Sequence, residues 1–340
     1  MSVDSPIHVL STMSFPDQWL DRLRAISPRL QIVQHPASAW DEAPPHLWES
    51  VEVLYSGAAY PQPTQAPNLR WLQLDTAGAD GILQHPLWET DVTITTLSGV
   101  GPTTVAEYTM MTILALAHHL PRILDHQRRV DWPTLDERWR LFLPRELRGA
   151  TLGVIGYGSI GREIGRLGRA FGMTVLGLRL GSSRQASFSL EQIGNPSEAE
   201  PQRLYGPDGL YELLAASDYV VLAVPATPAT FHLIDEQALR RMRPSSVLIN
   251  VARGVVVEEQ ALIRALQERR IAGAALDVAE QEPLPADSPL WAMENVIISP
   301  HIAGLTPQYM ERIMNLFAAN LQRYLAGEPL LNQVQRERRY

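Results

Sequence analysis

The chain has 340 residues, with 45% hydrophobic side chains, 29 basic and 37 acidic residues, and a formal net charge of −8. This composition indicates a globular protein of about two domains, with no electrostatic reason to bind nucleic acid or anionic lipid. The sequence contains no cysteine, and all of its Lys+Arg residues are arginine. Thiolate nucleophiles, Cys-ligated metals and lysine Schiff bases are therefore excluded.

The amino-terminal segment and the longest apolar runs predict where the protein resides. Met1–Pro6 lacks the basic head and apolar stretch of a secretory signal. The apolar runs, such as 219–223, are far too short to span a bilayer. We therefore expect a cytoplasmic protein without a membrane partner.

Short strand-like and helix-like segments alternate over residues 7–115. Apolar spacing predicts a helix over 17–26, and apolar runs predict strands at 7–10, 30–33, 51–55 and 69–74. This alternation is typical of a parallel α/β domain. Thr104–Glu107 has a capping-box pattern, which predicts an apolar helix that begins near Thr104 and is kinked or ended by Pro121.

A second α/β segment begins at Thr151. Residues 181–209 are polar and predict an unusually long loop, and 307–325 predict a closing helix. Between these, strands are predicted at 152–155, 174–178, 219–223, 247–250, 272–276 and 296–298.

The loop between the first two of these strands has the pattern G-x-G-x-x-G. It consists of Gly156, Gly158, Ser159, Ile160 and Gly161 around Tyr157. It directly follows a predicted strand and opens a predicted helix, which is the context in which this pattern binds a dinucleotide. The glycines permit the turn, the approach of a pyrophosphate and close helix packing, and the helix amino terminus binds the anion.

The residue that would contact the adenosine ribose lies at the end of the next strand. An acidic side chain is common there, but this sequence has Arg179, with Ser182 close behind. A guanidinium beside hydroxyl groups suits a 2′-phosphate. The pattern therefore favours NADP(H) as the cofactor, with NAD(H) possible.

Several further segments resemble the D-isomer-specific 2-hydroxyacid dehydrogenases. They are Glu146–Gly149 before the glycine loop, Asn250–Gly254, Asp277–Pro283, Ser299–Gly304 and, less strongly, Leu72–Asp80. The resemblance implies an α/β fold of two Rossmann-like domains with doubly wound parallel sheets. A cofactor domain, 121–302, would be inserted into a discontinuous substrate domain formed by 1–120 and 303–340.

The resemblance also implies a catalytic set of Arg253, Glu282 and His301. A guanidinium can bind the carboxylate of a 2-oxo acid and polarise its ketone. His301 can supply the proton that the developing alkoxide needs, and Glu282 would favour the imidazolium and orient the ring. The implied reaction is reduction of a small 2-oxo acid, similar to glyoxylate or hydroxypyruvate, to the D-2-hydroxy acid.

Other contacts follow from the same resemblance. Ala77, Gly78 and Ala79 would bind the substrate carboxylate together with Arg253 and His301. Further cofactor contacts are implied for Val224, Pro225, Thr230, Val251, Ala252, Arg253, Asp277, His301 and Gly304. No metal site is predicted.

The sequence leaves two alternative functions open and predicts one oligomeric state. A phosphite dehydrogenase uses a similar Arg/Glu/His set, and a corepressor-like protein on the same scaffold uses the cofactor as a binding signal. The absence of lysine excludes short-chain dehydrogenases, which need a Tyr-x-x-x-Lys pair. The apolar helix near 104–120, together with dimeric relatives, predicts a homodimer.

Overall fold

A computed structural model describes residues 5–180 and 200–337. Within these ranges the strands are β1 (Ile7–Ser11), β2 (Leu30–Gln34), β3 (Val53–Ser56), β4 (Trp71–Leu74), β5 (Thr93–Thr95), β6 (Thr151–Ile155), β7 (Thr174–Leu178), β8 (Arg203–Tyr205), β9 (Tyr219–Leu222), β10 (Val247–Asn250), β11 (Gly273–Leu276) and β12 (Val296–Ile298). The helices are α1 (Asp17–Arg24), α2 (Pro45–Ser50), α3 (Pro102–Ala117), α4 (Leu120–Arg128), α5 (Leu135–Leu141), α6 (Ser159–Ala170), α7 (Leu210–Ala216), α8 (Glu236–Arg241), α9 (Glu259–Gln267) and α10 (Tyr309–Ala326). In these ranges, no helix combines the length and apolar character needed to cross a bilayer.

The described residues form two compact units. The first unit contains 5–100 and 307–337, and the second contains 101–180 and 200–306. The first has a five-stranded parallel sheet in the order β2-β1-β3-β4-β5, and the second a seven-stranded parallel sheet in the order β12-β11-β10-β9-β6-β7-β8. The predicted fold class, two parallel α/β domains with one inserted into the chain of the other, is confirmed.

Both sheets are buried on their two faces, which explains their nearly continuous apolar strands. In β9, Val220 and Leu222 pack into one core cluster, whereas Tyr219 and Val221 pack into another. In β3 of the other sheet, Tyr55 and Leu54 likewise belong to different clusters. Side chains alternate along a strand, so a strand covered on both faces needs apolar residues at every position.

The start and end of α3 differ from the prediction. The helix begins at Pro102 with Gly101 as its N-cap and no side-chain cap, and it ends at Ala117. Thr104 lies inside the first turn, where its hydroxyl donates to the Gly101 carbonyl at 3.2 Å. Pro121 belongs to the first turn of α4. The expected capping box at Thr104 was therefore wrong, because proline at the first helical position favours an earlier start.

The apolar character of α3 has a cause within the second unit. Ala106, Met110 and Ile113 are buried in the cluster that contains Val154 of β6 and Ile164 of α6. The helix therefore uses much of its apolar surface inside its own unit, and this surface by itself no longer requires a partner subunit.

The predicted polar loop, 181–209, is only partly a loop. Residues 181–199 lie outside the described residues, but Arg203–Tyr205 forms β8, the edge strand beside β7. β8 and β5 were both missed by sequence reasoning. Each has only three residues, and such short strands depend on pairing with a neighbour rather than on a local pattern.

Candidate active site

The carboxyl edge of the seven-stranded sheet collects most of the predicted site residues. Because all neighbouring strands are parallel, the chain leaves each of them at the same edge of the sheet. The glycine loop follows β6, Arg179 follows β7, Val224, Pro225 and Thr230 follow β9, Val251, Ala252 and Arg253 follow β10, Asp277 follows β11, and His301 and Gly304 follow β12. Ser182 lies outside the described residues.

The glycine loop has the geometry that a dinucleotide requires. Gly156 has φ +99°, and a Cβ built there would lie 2.4 Å from the Ala223 carbonyl oxygen at the end of β9. A Cβ on Gly161 would lie 2.3 Å from the Gly156 carbonyl oxygen, whereas one on Gly158 would meet nothing within 4 Å. The loop lies between β6 and β9, where the strand order reverses and parallel sheets bind nucleotides.

The first turn of α6 completes this loop. Gly158 is its N-cap, and none of the described side chains caps the helix. The first amides of a helix have no partner within it, and together with the helix dipole they attract an anion. The residues present therefore fit the pyrophosphate of a nicotinamide dinucleotide, which Gly156, Gly158, Ser159, Ile160 and Gly161 would hold.

Arg179 lies against the glycine loop. Its Nη2 donates to the Tyr157 carbonyl at 3.1 Å, and its backbone amide donates to the Tyr205 carbonyl at 3.0 Å. The guanidinium thus lies at the end of β7, where the adenosine ribose of a bound dinucleotide is expected.

Thr230 stabilises the turn after β9 through hydrogen bonds to the backbone of that turn. It is buried, its hydroxyl donates to the Pro225 carbonyl at 2.7 Å, and it accepts from the Thr227 amide at 2.8 Å. Val224 is also buried. The Thr230 side chain therefore holds the turn together, and its contact with the cofactor stays a prediction.

Asn250 and Gly254 position the loop that carries Arg253. The buried Asn250 side chain accepts from the Ala252 amide and donates to the Arg253 carbonyl, both at 3.0 Å. A Cβ on Gly254 would lie 1.7 Å from the Ala279 carbonyl oxygen. Glycine is required here because the Arg253 loop packs backbone to backbone on the segment that leads to Glu282.

Glu282 and His301 form a hydrogen-bonded pair. His301 Nδ1 and Glu282 Oε2 are 2.9 Å apart, and both side chains are about half exposed. The second oxygen of Glu282 accepts from the Ala279 amide at 3.3 Å. A histidine whose Nδ1 donates to a carboxylate keeps Nε2 for a substrate, so this pair can transfer a proton through Nε2.

Asp277 holds the loop that carries His301. This buried carboxylate accepts from the Ile302 and Ala303 amides, each at 2.9 Å, and from the Ser299 hydroxyl at 2.5 Å. His301 itself has φ +55°, a backbone conformation that is uncommon outside glycine. These bonds explain how the loop keeps that conformation, and they add a positioning role to the cofactor contact predicted for Asp277.

Tyr108 extends this network and was not predicted to belong to the site. Its hydroxyl lies 2.5 Å from the Ser299 hydroxyl, although the two residues are 191 positions apart in the chain. Burial raises the pKa of Tyr108, and the negative charge of Asp277 also raises it. No local pattern links these residues, so only the fold reveals the connection.

The predicted substrate loop belongs to the first unit. Ala77, Gly78 and Ala79 follow β4, and the Thr76 hydroxyl donates to the Gly78 carbonyl at 2.6 Å. Ala77 is exposed and Ala79 is buried at the start of a short turn of 3₁₀ helix. Their contact with a substrate remains a prediction.

Comparison with known proteins identifies the class of this chain. The family model "D-isomer specific 2-hydroxyacid dehydrogenase, NAD binding domain" matches residues 110–303. A glyoxylate reductase from Korarchaeum cryptofilum is 35% identical over 274 residues, which cover 80% of this chain and 78% of that protein. The chain belongs to the D-isomer-specific 2-hydroxyacid dehydrogenases.

Two solved structures agree with this assignment. A D-isomer-specific 2-hydroxyacid dehydrogenase from Xanthobacter autotrophicus, in complex with NADPH and MES, has a TM-score of 0.80 and 31% identity and covers 99% of this chain and 100% of its own. A D-lactate dehydrogenase from Aquifex aeolicus, complexed with NAD and lactic acid, has a TM-score of 0.71 and 27% identity and covers 94% and 96%. The present protein is an NAD(P)-dependent oxidoreductase of this family, acting on CH–OH groups and their oxo counterparts.

Proposed function

We propose that the protein reduces a small 2-oxo acid, glyoxylate or hydroxypyruvate, to the corresponding D-2-hydroxy acid. The observation that carries this proposal is the 2.9 Å pair of His301 and Glu282, on the sheet edge that also bears Arg253 and the glycine loop. The 35% identity to a glyoxylate reductase supports the substrate class. The functional domains would be 1–120 with 303–340 for the substrate and 121–302 for the cofactor, in a cytoplasmic enzyme.

Arg253, His301 and Glu282 would have different roles in the reaction. The bound nicotinamide cofactor supplies the hydride. Arg253 would bind the substrate carboxylate and polarise the ketone, because its guanidinium is a planar fork of donors. His301 would give its Nε2 proton to the oxygen that becomes a hydroxyl, and in the reverse direction would accept it. Glu282 would hold the ring in place through its hydrogen bond to Nδ1.

A substrate panel tests this function. Purified protein is mixed with NADPH or NADH and with glyoxylate, hydroxypyruvate or other 2-oxo acids, and loss of cofactor fluorescence is followed. We expect consumption with at least one of the two named acids. Cofactor binding without consumption across the panel would instead support a corepressor-like binding protein, and oxidation of phosphite with NAD(P)⁺ would support a phosphite dehydrogenase.

The cofactor preference is proposed from Arg179, which would bind the 2′-phosphate of NADP(H). We expect Arg179→Ala to raise KM for NADPH about tenfold, as for a lost charge-assisted hydrogen bond, while KM for NADH stays unchanged. Arg240→Ala is the matched control, since Arg240 is an exposed arginine that pairs with Glu236 on α8. A lower KM for NADH than for NADPH in the unaltered enzyme would contradict the preference.

A second copy of this chain is proposed as the partner, on the segment around α4 and α5. This segment exposes Val130 and Trp132 by 93% and 86%, and also Leu135 and Trp139. Four large apolar side chains exposed within ten residues of the chain are typical of an interaction surface. Sedimentation at micromolar concentration should give a dimer, and Trp132→Asp should shift it to a monomer. A monomeric unaltered protein would contradict the homodimer.

A further inference from the structure

The five-stranded sheet of the first unit has a topological switch point at its carboxyl edge. In the order β2-β1-β3-β4-β5, the connections leave β1 and β3 in opposite directions, and parallel sheets bind ligands at such a switch point. Met13 follows β1 and Gly57 follows β3. A Cβ built on Gly57 would lie 3.3 Å from Met13 Sδ and 3.7 Å from Asp75 Cβ. Asp75, directly after β4, therefore lies close to this switch point.

Asp75 is held in place by a rigid donor. The Tyr55 hydroxyl donates to Asp75 Oδ1 at 2.6 Å. Tyr55 is fully buried, and its ring packs edge-on against Phe15 and Phe317 with centroid distances of 5.0 Å. Because this ring is fixed, one oxygen of Asp75 is fixed as well, and the second oxygen is left as an acceptor.

The titratable side chains whose pKa responds to the charge of Asp75 are tyrosines. Among residues 5–180 and 200–337, Asp75 forms this one side-chain hydrogen bond and no ion pair. Burial raises the pKa of Asp75, while the Tyr55 hydrogen bond lowers it. Burial also raises the pKa of Tyr60 and Tyr309 to about 12, with a further contribution from the charge of Asp75, so both phenols stay protonated.

We propose that Asp75 determines which 2-oxo acids the enzyme accepts. It would accept a hydrogen bond from a donor on the carbon beyond the ketone, such as the hydroxyl of hydroxypyruvate, and it would repel a second anionic group at that place. This inference rests on the proposed function and on the prediction that the Ala77–Ala79 loop, which begins two residues after Asp75, binds the substrate carboxylate. A second carboxylate would meet the Asp75 carboxylate, which forms no ion pair among the described residues, and bringing two like charges together is costly in a partly desolvated site.

Asp75→Asn is the first test, because the amide still accepts the Tyr55 hydrogen bond and then presents NH₂ where Asp75 presents an acceptor. kcat/KM is measured for glyoxylate, which has no tail, and for oxaloacetate, which has an anionic one. We expect the oxaloacetate-to-glyoxylate ratio to rise at least about tenfold, because one like charge is removed. Asp91→Asn removes the same charge from an exposed residue of the first unit and should leave the ratio unchanged.

The double variant Tyr55→Phe/Asp75→Ala is the second test. It removes donor and acceptor together, so no buried hydroxyl is left without a partner. Relative to Tyr55→Phe alone, the double variant should lose about tenfold of the preference for hydroxypyruvate over glyoxylate.

Two outcomes would contradict the role of Asp75, and a third would contradict the proposed reduction of 2-oxo acids. If Asp75→Asn changes Tm but leaves the oxaloacetate-to-glyoxylate ratio within twofold, Asp75 only satisfies the Tyr55 hydroxyl. If the double variant keeps the hydroxypyruvate preference, Asp75 is not the acceptor. If the unaltered enzyme binds cofactor but reduces none of the three acids, the proposed function fails, and the inference falls with it.

Discussion

The carboxyl edges of the two sheets differ in how their functional residues are encoded. On the seven-stranded sheet, the glycine loop, Arg253 and His301 each lie in a short motif directly after a strand. On the five-stranded sheet, Asp75 is positioned by a hydrogen bond from Tyr55, which is 20 positions away on the neighbouring strand β3. The first edge can be interpreted from local spacing, whereas the second requires knowledge of which strands are adjacent.

Residue types that backbone geometry requires are visible in the sequence, whereas hydrogen-bond partners on different strands are not. Backbone constraints such as those at Gly156 and Gly254 demand a particular residue type, so they leave a visible pattern. The hydrogen bond of Asp75 needs only a carboxylate close to a hydroxyl group. Many arrangements of the chain would provide this, so the sequence shows no pattern for it. Variants on the two edges should therefore differ in the size of their effects on activity and stability.

The largest effect is expected on the seven-stranded side, from His301→Ala. Loss of a general acid should lower kcat by ~10²–10⁴-fold, with cofactor binding by fluorescence titration retained. His232→Ala is a matched control: His232 has φ +49° and pairs with Glu280 at 2.9 Å, much as His301, with φ +55°, pairs with Glu282. Near-normal turnover of His301→Ala, or an equal loss in both variants, would refute the assignment.

Two substitutions in the glycine loop separate cofactor binding from folding. The alanine side chain of Gly158→Ala would meet no neighbour within 4 Å, so this variant should lower Tm only slightly, as expected for alanine at an N-cap. It should obstruct the pyrophosphate and raise KM for the cofactor about tenfold. Gly161→Ala places its Cβ 2.3 Å from the Gly156 carbonyl oxygen and should destabilise the fold by ~1–3 kcal/mol. If Gly158→Ala binds cofactor normally, the loop does not approach a pyrophosphate there.

A smaller effect is expected from Tyr108→Phe, which breaks the link to Ser299 and Asp277. Loss of one hydrogen bond of ~1 kcal/mol should lower kcat about fivefold through a less well-held His301, with KM for the cofactor unchanged. Tyr205→Phe deletes a hydroxyl that donates to Glu212 at 3.3 Å in the same unit and should leave kcat unaltered. An unchanged kcat together with a lower Tm would make Tyr108 a purely structural residue.

The smallest effect concerns the stability of the five-stranded side. The pKa of Asp75 is raised in the folded state, so the folded protein takes up a proton before the unfolded chain does as the pH falls. The unaltered protein should therefore gain Tm relative to Asp75→Asn as the pH falls through the folded pKa towards the ordinary carboxyl range of about 4. A Tm difference that is constant with pH would show that burial does not oppose the ionised carboxylate.

Much of the fold was predictable because its strands are continuous apolar runs between turn residues. β10 and β12 have the bounds that the sequence predicted. The start of α3 was not predictable from Thr104–Glu107, since Pro102 and Gly101 offered an earlier start. A capping box does form at Thr134 and Glu137, at the start of α5.

The parallel α/β class and the glycine loop could be predicted from the sequence alone, because they depend on local spacing and on residue types that backbone geometry makes obligatory. The family was recognised from its motifs, and the catalytic set Arg253, Glu282 and His301 is a prediction that this resemblance implies. The tertiary structure alone decided that Asp277, Ser299 and Tyr108 hold the His301 loop and that Tyr55 fixes Asp75. Hydrogen bonds between distant segments form only after the strands have taken their places in the sheets, so no spacing along the chain could specify them.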